Sequence, residues 1–453
     1  MGRITLHQAA QWCGGRIDPK YKDVIFLGAN NDSRKIEKDQ LFIALQGERD
    51  GHDFVPSALE KGAAAVLCTH CDGDYPAIVV EDTRIALGQI ARGEREKLGM
   101  KVVGVTGSVG KSTTKEMIAA ILESTYRVAK TPANHNNDIG MPMAILAMPE
   151  DTQVAVLEMG MNHFGEISYL TSIGQPDVAV IVNIGTMHIE HLGSMEGILR
   201  AKLEILEGMP ADGKVVLNGD DSLLWNQRNA LDKKIFYFGI QNTQSDVLAK
   251  DVRQNENGLC FTVVADTGEI PVAMELEGEH YVLDALAAIG VGKVFGISAD
   301  LIRQSLLQFR NMEGRQEIYE KKGFTIIQDC YNAGPESMNA ALRVLGNRSG
   351  RRVAVLGDML ELGVCTDAEH YKIGRVAAKN ADVLLAYGPK SERMLYGAIT
   401  GGMSQNNARA FTDKEKMTQV LLQLAKPGDT LLFKGSRGMR MEQVLEKFLE
   451  EVK

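Results

Sequence analysis

The stretch Lys101-Val-Val-Gly-Val-Thr-Gly-Ser-Val-Gly-Lys-Ser-Thr-Thr-Lys115 decides the fold. Its apolar run, Val102 to Val105, reads as a buried strand, and Lys115 to Leu122 reads as a helix. Between them lies a glycine-bearing turn that ends in Lys111-Ser112. Strand, turn and helix start in that order build a phosphate cradle. Turn amides point inward, and the helix N-terminus adds partial positive charge. Lys111 is expected to reach β- and γ-phosphates, and the Ser112 hydroxyl to hold Mg²⁺. The strict spacing G-x-x-x-x-G-K-[ST] fails at its first glycine, which is Val105 here; Gly104 stands one residue early. The nucleotide-binding reading therefore rests on the strand–turn–helix context. Without that context the same residues describe a glycine-rich turn with an incidental lysine.

Outward from this loop, strands alternate with helical stretches from residue 99 to 312. That alternation predicts a central unit on a mostly parallel sheet. Thr152 to Glu158 and Asp177 to Asn183 read as strands, the second followed by Gly185-Thr-Met-His-Ile-Glu-His191. Ligands of open α/β sheets sit outside the carboxyl ends of the strands. The phosphate loop, Glu158 and the His188 loop thus share one edge. Glu158 is a hard oxygen donor suited to Mg²⁺, or a strand-end glutamate paired with a lysine. His188 or His191 could be a metal ligand or a phosphate donor, but a lone histidine there is more often a hydrogen-bonded loop residue, and Lys202, on a helix from Gly197 to Leu206, reads as any helix-face lysine. Asn134-His-Asn-Asn137 is a substrate-positioning loop or an asparagine-rich turn. Residues from about 235 to 275 read as shorter strands, and His280 to Val294 as a helix.

Residues 1 to 98 form a first, small α/β unit, with strands at Gln40 to Leu45, Ala63 to Leu67 and Ala77 to Val80. Ser33, Arg34 and the Asp50-Gly51-His52 loop are candidates to bind an anion; from the residues alone, a solvated turn and loop is the better reading. Residues 313 to 453 form a third unit, after Arg310-Asn-Met-Glu-Gly-Arg315, which reads as a hinge. Its strands fall at Phe324 to Asp329, Arg352 to Leu356, Val383 to Tyr387 and Thr430 to Phe433, a doubly wound pattern. Asp329-Cys-Tyr-Asn332 ends the first and is a candidate to reach a nucleotide; Lys434-Gly-Ser-Arg-Gly438 follows the last and is a candidate to bind a carboxylate.

The bulk numbers agree. A chain of 453 residues suggests about three domains. A net charge of −9 argues against nucleic-acid and anionic-membrane partners. No long apolar segment follows Met1-Gly-Arg-Ile, and no run is long enough to span a bilayer. Of the six cysteines only Cys68 and Cys71 are close, without the second pair of a zinc site. A soluble cytoplasmic protein is expected.

Taken in order, the motifs resemble the Mur ligases of peptidoglycan synthesis. They are Gly104 to Thr114, Asn134-His-Asn-Asn-Asp-Ile-Gly-Met-Pro142, Glu158-Met-Gly-Met161, Asn183-Ile-Gly-Thr-Met-His188, Arg200-Ala-Lys202, Gly314-Arg-Gln-Glu317, Asp329-Cys-Tyr-Asn332 and Leu356-Gly-Asp-Met-Leu-Glu-Leu-Gly363. The last, with Asp329-Cys-Tyr-Asn-Ala333, points within that family to the type that adds D-alanyl-D-alanine. The resemblance implies an α/β fold of three domains: a small N-terminal domain for the uridine-nucleotide substrate, a P-loop ATPase-like centre, and a Rossmann-like C-terminal domain that binds the acceptor and closes on ATP. It implies ATP contacts by Gly107, Ser108, Val109, Gly110, Lys111, Ser112, Thr113, Asp329 and Asn332, and Mg²⁺ ligation by Ser112, Glu158, His188 and a carbamylated Lys202. Arg315 would meet the γ-phosphate. Ser33, Arg34, Asp50, Gly51, His52, Asn134 and Asn137 would bind substrate, which reverses the bland reading of the first-unit turn. The implied substrates are UDP-MurNAc-tripeptide, with lysine or diaminopimelate at its third position, and D-Ala-D-Ala, joined by a monomer through an acyl phosphate. Two departures stand out: His280-Tyr-Val-Leu-Asp284 where the family often has His-Asn-x-x-Asn, and Asn332-Ala-Gly334 where it often has Asn-Ala-Asn. A folylpolyglutamate synthase-like ligase and a non-catalytic nucleotide switch are the rival readings.

Overall fold

The apolar run at Val102 becomes the strand Lys101–Thr106, one of the inner strands of a nine-stranded sheet. The computed structural model describes residues 2–255, 258–266, 268–312 and 314–452. Glu313, the expected start of the third unit and part of the expected hinge, lies outside them, as do Glu256, Asn257 and Thr267 of the region from about 235 to 275.

Around Lys101–Thr106 the sheet is parallel. Val178–Ile181 pairs on one side and Val154–Glu158 on the other, with Lys214–Asn218 and Lys234–Gly239 beyond the first and Val128–Lys130 beyond the second. The register sets Val105 opposite both Val180 and Glu158. Carboxyl ends of neighbouring strands therefore lie level, and whatever follows them faces one crevice. Side chains alternate across the sheet. Val102, Ala155, Leu157, Ala179 and Ile181 join one core; Val103, Val105, Val156, Val180 and Val216 join the other. Helices Lys111–Glu123 and His280–Val294 pack together on the second face. The second of them is apolar nearly all round, as a helix buried on most sides must be.

A four-stranded parallel sheet (Ala29–Asn30, Leu41–Ile43, Ala65–Cys68, Ala77–Val79) builds the first unit. A six-stranded sheet builds the third, with Glu317–Lys321 antiparallel at its edge and the other five strands parallel. The expected α/β class, three units on mostly parallel sheets, is the observed one.

Three elements differ from expectation. The helix after the phosphate loop begins at Lys111, four residues before the expected Lys115. Ser112-Thr113-Thr114 are weak helix formers, but Ser112 and Thr114 bond other parts of the fold, and tertiary contact overrides propensity. The strands after residue 240 are long, not short: Val247–Asn255, Gly258–Ala265 and Gly268–Met274 form an antiparallel meander. A register shift between Lys250 and Arg253, with Asp251 at φ 52°, breaks the alternation that marks a long strand. Glu317–Lys321 went unread because it lies at the sheet edge, nowhere fully buried, and three of its five residues, Glu317, Glu320 and Lys321, are charged.

Candidate active site

Gly110 makes the cradle possible. Its φ of 84° is left-handed, and a Cβ there would lie 2.4 Å from Asp284 Oδ1. Asn183, at the end of the neighbouring strand, braces the loop: its Oδ1 accepts from Ser108 N and Val109 N, each at 3.0 Å. Ser108 Oγ donates to Gly185 O at 3.1 Å and accepts from Gly185 N at 2.8 Å. Lys111 spans the turn, its Nζ donating to Gly107 O at 2.8 Å and Ser108 O at 3.3 Å. Burial lowers its pKa below the ordinary lysine value.

At the helix start three expected residues converge. Ser112 Oγ donates to Glu158 Oε2 at 2.7 Å, and Arg315 Nη2 donates to Ser112 Oγ at 2.9 Å. Arg315 thus reaches across from the third unit, its guanidinium 4.0 Å from the ring centre of Tyr331. Glu158 is 2% exposed, and its second oxygen accepts from Asn136 Nδ2 at 2.9 Å. Lys202 is also 2% exposed. Burial drives its pKa far below the usual value, and the charge of Lys111 adds to the effect. Its Nζ has no hydrogen-bond or ion-pair partner among the described residues. His188 sits at φ 64° with Nδ1 2.6 Å from Glu361 Oε2, an ion-pair distance, though not in line for a directed hydrogen bond.

Hard oxygens on Ser112 and Glu158 beside the phosphate loop suit Mg²⁺, which keeps waters and substrate oxygens as its other ligands. Among the described residues no three His, Cys, Asp or Glu side chains gather on one point.

The other expected contacts divide. Asp329 Oδ2 takes an ion pair from Lys434 Nζ at 2.5 Å, and Lys434 also donates to Asn332 O at 3.0 Å. Within the stretch Lys434 to Gly438, a candidate to bind a carboxylate, Lys434 is thus buried and paired within the third unit. Asn332 Oδ1 accepts from Ala333 N at 2.9 Å. Asn137 Oδ1 accepts from Gly140 N at 2.8 Å and holds a helix start, while Asn134 is exposed; Asn136 is the residue of that cluster that reaches Glu158. In the first unit, Ser33 and Arg34 follow the strand Ala29–Asn30, and Asp50 to His52 follow its parallel neighbour Leu41–Ile43, so both loops share one edge. Arg34 pairs with Asp32 at 2.9 Å. His52 accepts from Thr69 N at 3.0 Å through Nε2, so Nδ1 carries the hydrogen toward Asp50 Oδ1 at 2.6 Å. Gly51 packs on the Leu45 backbone, where a Cβ would meet N and O at 2.6 Å.

Asp284, where the family often has asparagine, is buried and accepts from Thr114 Oγ1 at 3.0 Å. Burial raises its pKa to about 7. The folded form therefore holds a proton that the unfolded chain releases near pH 4, and stability falls as pH rises from about 4 to about 7. Asp284→Asn is expected to raise stability at pH 8 by about 1–3 kcal/mol and to change little near pH 4. Urea unfolding at the two pH values checks this; an equal change at both would contradict it.

Sequence reading missed Asn136, Asn183, Glu336 and Glu361. Asn136, Asn183 and Glu361 lie inside motifs that signalled the family. Nothing local marks Glu336, whose Oε1 accepts from Thr186 N at 2.9 Å.

The class defined by this fold and crevice is a nucleotide-dependent ligase of three units, and comparisons with known proteins agree. The model of the Mur ligase middle domain matches residues 105–292, that of the Mur ligase, glutamate ligase domain matches 314–437, and that of the Mur ligase family, catalytic domain matches 27–95. The UDP-N-acetylmuramoyl-tripeptide–D-alanyl-D-alanine ligase of Bacillus subtilis is 40% identical, over 99% of both chains. A crystal structure of MurF from Acinetobacter baumannii superposes with a TM-score of 0.91 at 34% identity, covering 100% of both chains. The MurF ligase from Thermotoga maritima in complex with ADP gives 0.84 at 31% identity, covering 94% of this chain and 98% of that one. This chain belongs to the Mur ligase family.

Proposed function

We propose that this protein joins D-alanyl-D-alanine to UDP-N-acetylmuramoyl-tripeptide with ATP, giving UDP-MurNAc-pentapeptide, ADP and phosphate, as a cytoplasmic monomer. The observation that carries the reading is the meeting of Ser112, Glu158 and Arg315 at the mouth of the phosphate loop. Residues 1–98 hold the uridine-nucleotide end, 99–312 hold ATP, and 313–453 bind the acceptor and close over the nucleotide. The full-length likeness to the Bacillus subtilis ligase supports the choice of substrates.

A carboxylate resists amide formation because its oxygen is a poor leaving group. Transfer of the γ-phosphoryl group to the tripeptide carboxylate makes an acyl phosphate, and the D-Ala-D-Ala amine displaces phosphate from it. Lys111 and Arg315 bring positive charge to the transferring group, whose catalysis is mainly positioning and electrostatics. Ser112 and Glu158 would hold one Mg²⁺, and Glu158, His188 and carbamylated Lys202 a second. Bound there, Mg²⁺ would neutralise charge on the phosphates. Asp329 and Asn332 meet the nucleotide from the third unit. Ser33, Arg34, Asp50, Gly51, His52, Asn134 and Asn137 orient the uridine-nucleotide substrate. Contact of the third unit with the loop excludes water that would hydrolyse the acyl phosphate.

The test is ADP release with every combination of substrates. Full rate is expected only with ATP, Mg²⁺, UDP-MurNAc-tripeptide and D-Ala-D-Ala together. ADP formed at full rate without D-Ala-D-Ala would end the ligase reading.

A further inference from the structure

The segment that carries His188 is held by the third unit. At one end Glu336 Oε1 accepts from Thr186 N at 2.9 Å and from Thr186 Oγ1 at 3.1 Å. Two residues on, His188 Nδ1 meets Glu361 Oε2 at 2.6 Å. The two loops also touch through their backbones: Gly363 has φ 49°, and a Cβ there would lie 3.1 Å from Glu190 Cα. Both ends of the ion pair are left-handed, His188 at φ 64° and Glu361 at φ 63°. Such non-glycine residues are strained and persist where the surroundings fix them, typically at ligand clamps and switch regions. Here two of them face each other across a boundary between units.

We propose that Glu361 is the positioning residue of His188: its carboxylate comes to within 2.6 Å of Nδ1 with the third unit, a small turn of the ring brings the two into line, and Nε2 is left as the nitrogen that binds metal. Metal-bound imidazoles generally donate their other ring N–H to a carboxylate or carbonyl, which fixes tautomer and ring orientation. Across this boundary, that arrangement makes the second metal site complete only when the third unit is seated. The inference rests on the assignment of His188 as a ligand made above. Glu361 does not touch the reacting atoms. Its side chain is 46% exposed, so its removal leaves no buried hole.

The experiment titrates Mn²⁺, as a stand-in for Mg²⁺, into the full chain saturated with ADP and reads free Mn²⁺ by electron paramagnetic resonance. Glu361→Ala is expected to weaken one Mn²⁺ site about 10- to 100-fold, and His188→Ala at least as much. Glu361→Gln keeps an oxygen acceptor and is expected to retain binding within about tenfold of wild type. In turnover, Glu361→Ala is expected to lower kcat with KM for ATP little changed. Unaltered Mn²⁺ binding in Glu361→Ala beside weakened binding in His188→Ala would overturn the positioning role. Unaltered binding in both would remove His188 from the metal site and the proposal with it. If wild type releases no ADP in response to D-Ala-D-Ala, the ligase reading falls, while the Mn²⁺ comparison still decides the role of Glu361.

Discussion

Lys111→Ala is expected to leave a folded protein whose turnover falls by about 10³-fold or more. The geometry separates the two effects. Among the described residues Lys111 Nζ hydrogen-bonds only loop carbonyls, Gly107 O and Ser108 O. The bracing of the loop belongs to Asn183, Ser108 and Gly185, none of which the substitution alters. Burial already disfavours the ammonium, so removing it relieves a desolvation cost and offsets the two lost hydrogen bonds. Thermal unfolding should therefore move by only a few degrees. Catalysis has no such compensation. Charge on a transferring phosphoryl group is met by fixed cations, and a single preorganised donor is worth about 10²–10³ in rate. Lys111→Arg is expected to fail nearly as badly, because a planar fork cannot replace a compact ammonium in a cradle built of backbone. Single-turnover ADP release beside a thermal melt checks both halves. Turnover within about tenfold of wild type would remove the lysine from the mechanism.

The contrast between legible and hidden residues has a physical cause. Strands buried on both faces read as continuous apolar runs, and the positions of Lys214–Asn218, Phe324–Asp329 and Val383–Tyr387 are those expected. His280–Val294 was legible for the same reason. Glu317–Lys321, at a sheet edge and charged, carried no such signal. In the site, Lys111, Ser112 and Glu158 were legible because strand ends and a glycine turn place them without reference to distant residues. Lys202 was not. On a helix it looks like any surface lysine, and only the tertiary fold around it makes it buried. Glu336 and Glu361 lie 150 and 173 residues from Thr186 and His188, their partners across the crevice, and no local pattern encodes such a distance.

Burial also shapes the second large effect, expected at Lys202. An ammonium 2% exposed, without a partner among the described residues and under the charge of Lys111, is strongly disfavoured. The neutral amine is favoured instead, and a neutral amine is the form that adds CO₂. Its nitrogen forms a bond to carbon, and a proton leaves to solvent. A carbamate there would turn a like-charge pair with Lys111 into an attractive one and would supply two hard oxygens where the resemblance implies a metal. Lys202→Ala is expected to lose about 10²-fold or more in turnover, because a ligand oxygen disappears with the side chain. A small carboxylate such as acetate can supply the missing oxygens and is expected to restore part of that loss. Lys202→Arg, charged at every accessible pH, is expected to be inactive and beyond rescue. Carbon NMR after exposure to labelled CO₂ gives a readout independent of turnover: one carbamate signal in wild type, none in Lys202→Ala. A fully active Lys202→Ala, or a wild type without that signal, would leave Lys202 as a buried amine with no part in the chemistry.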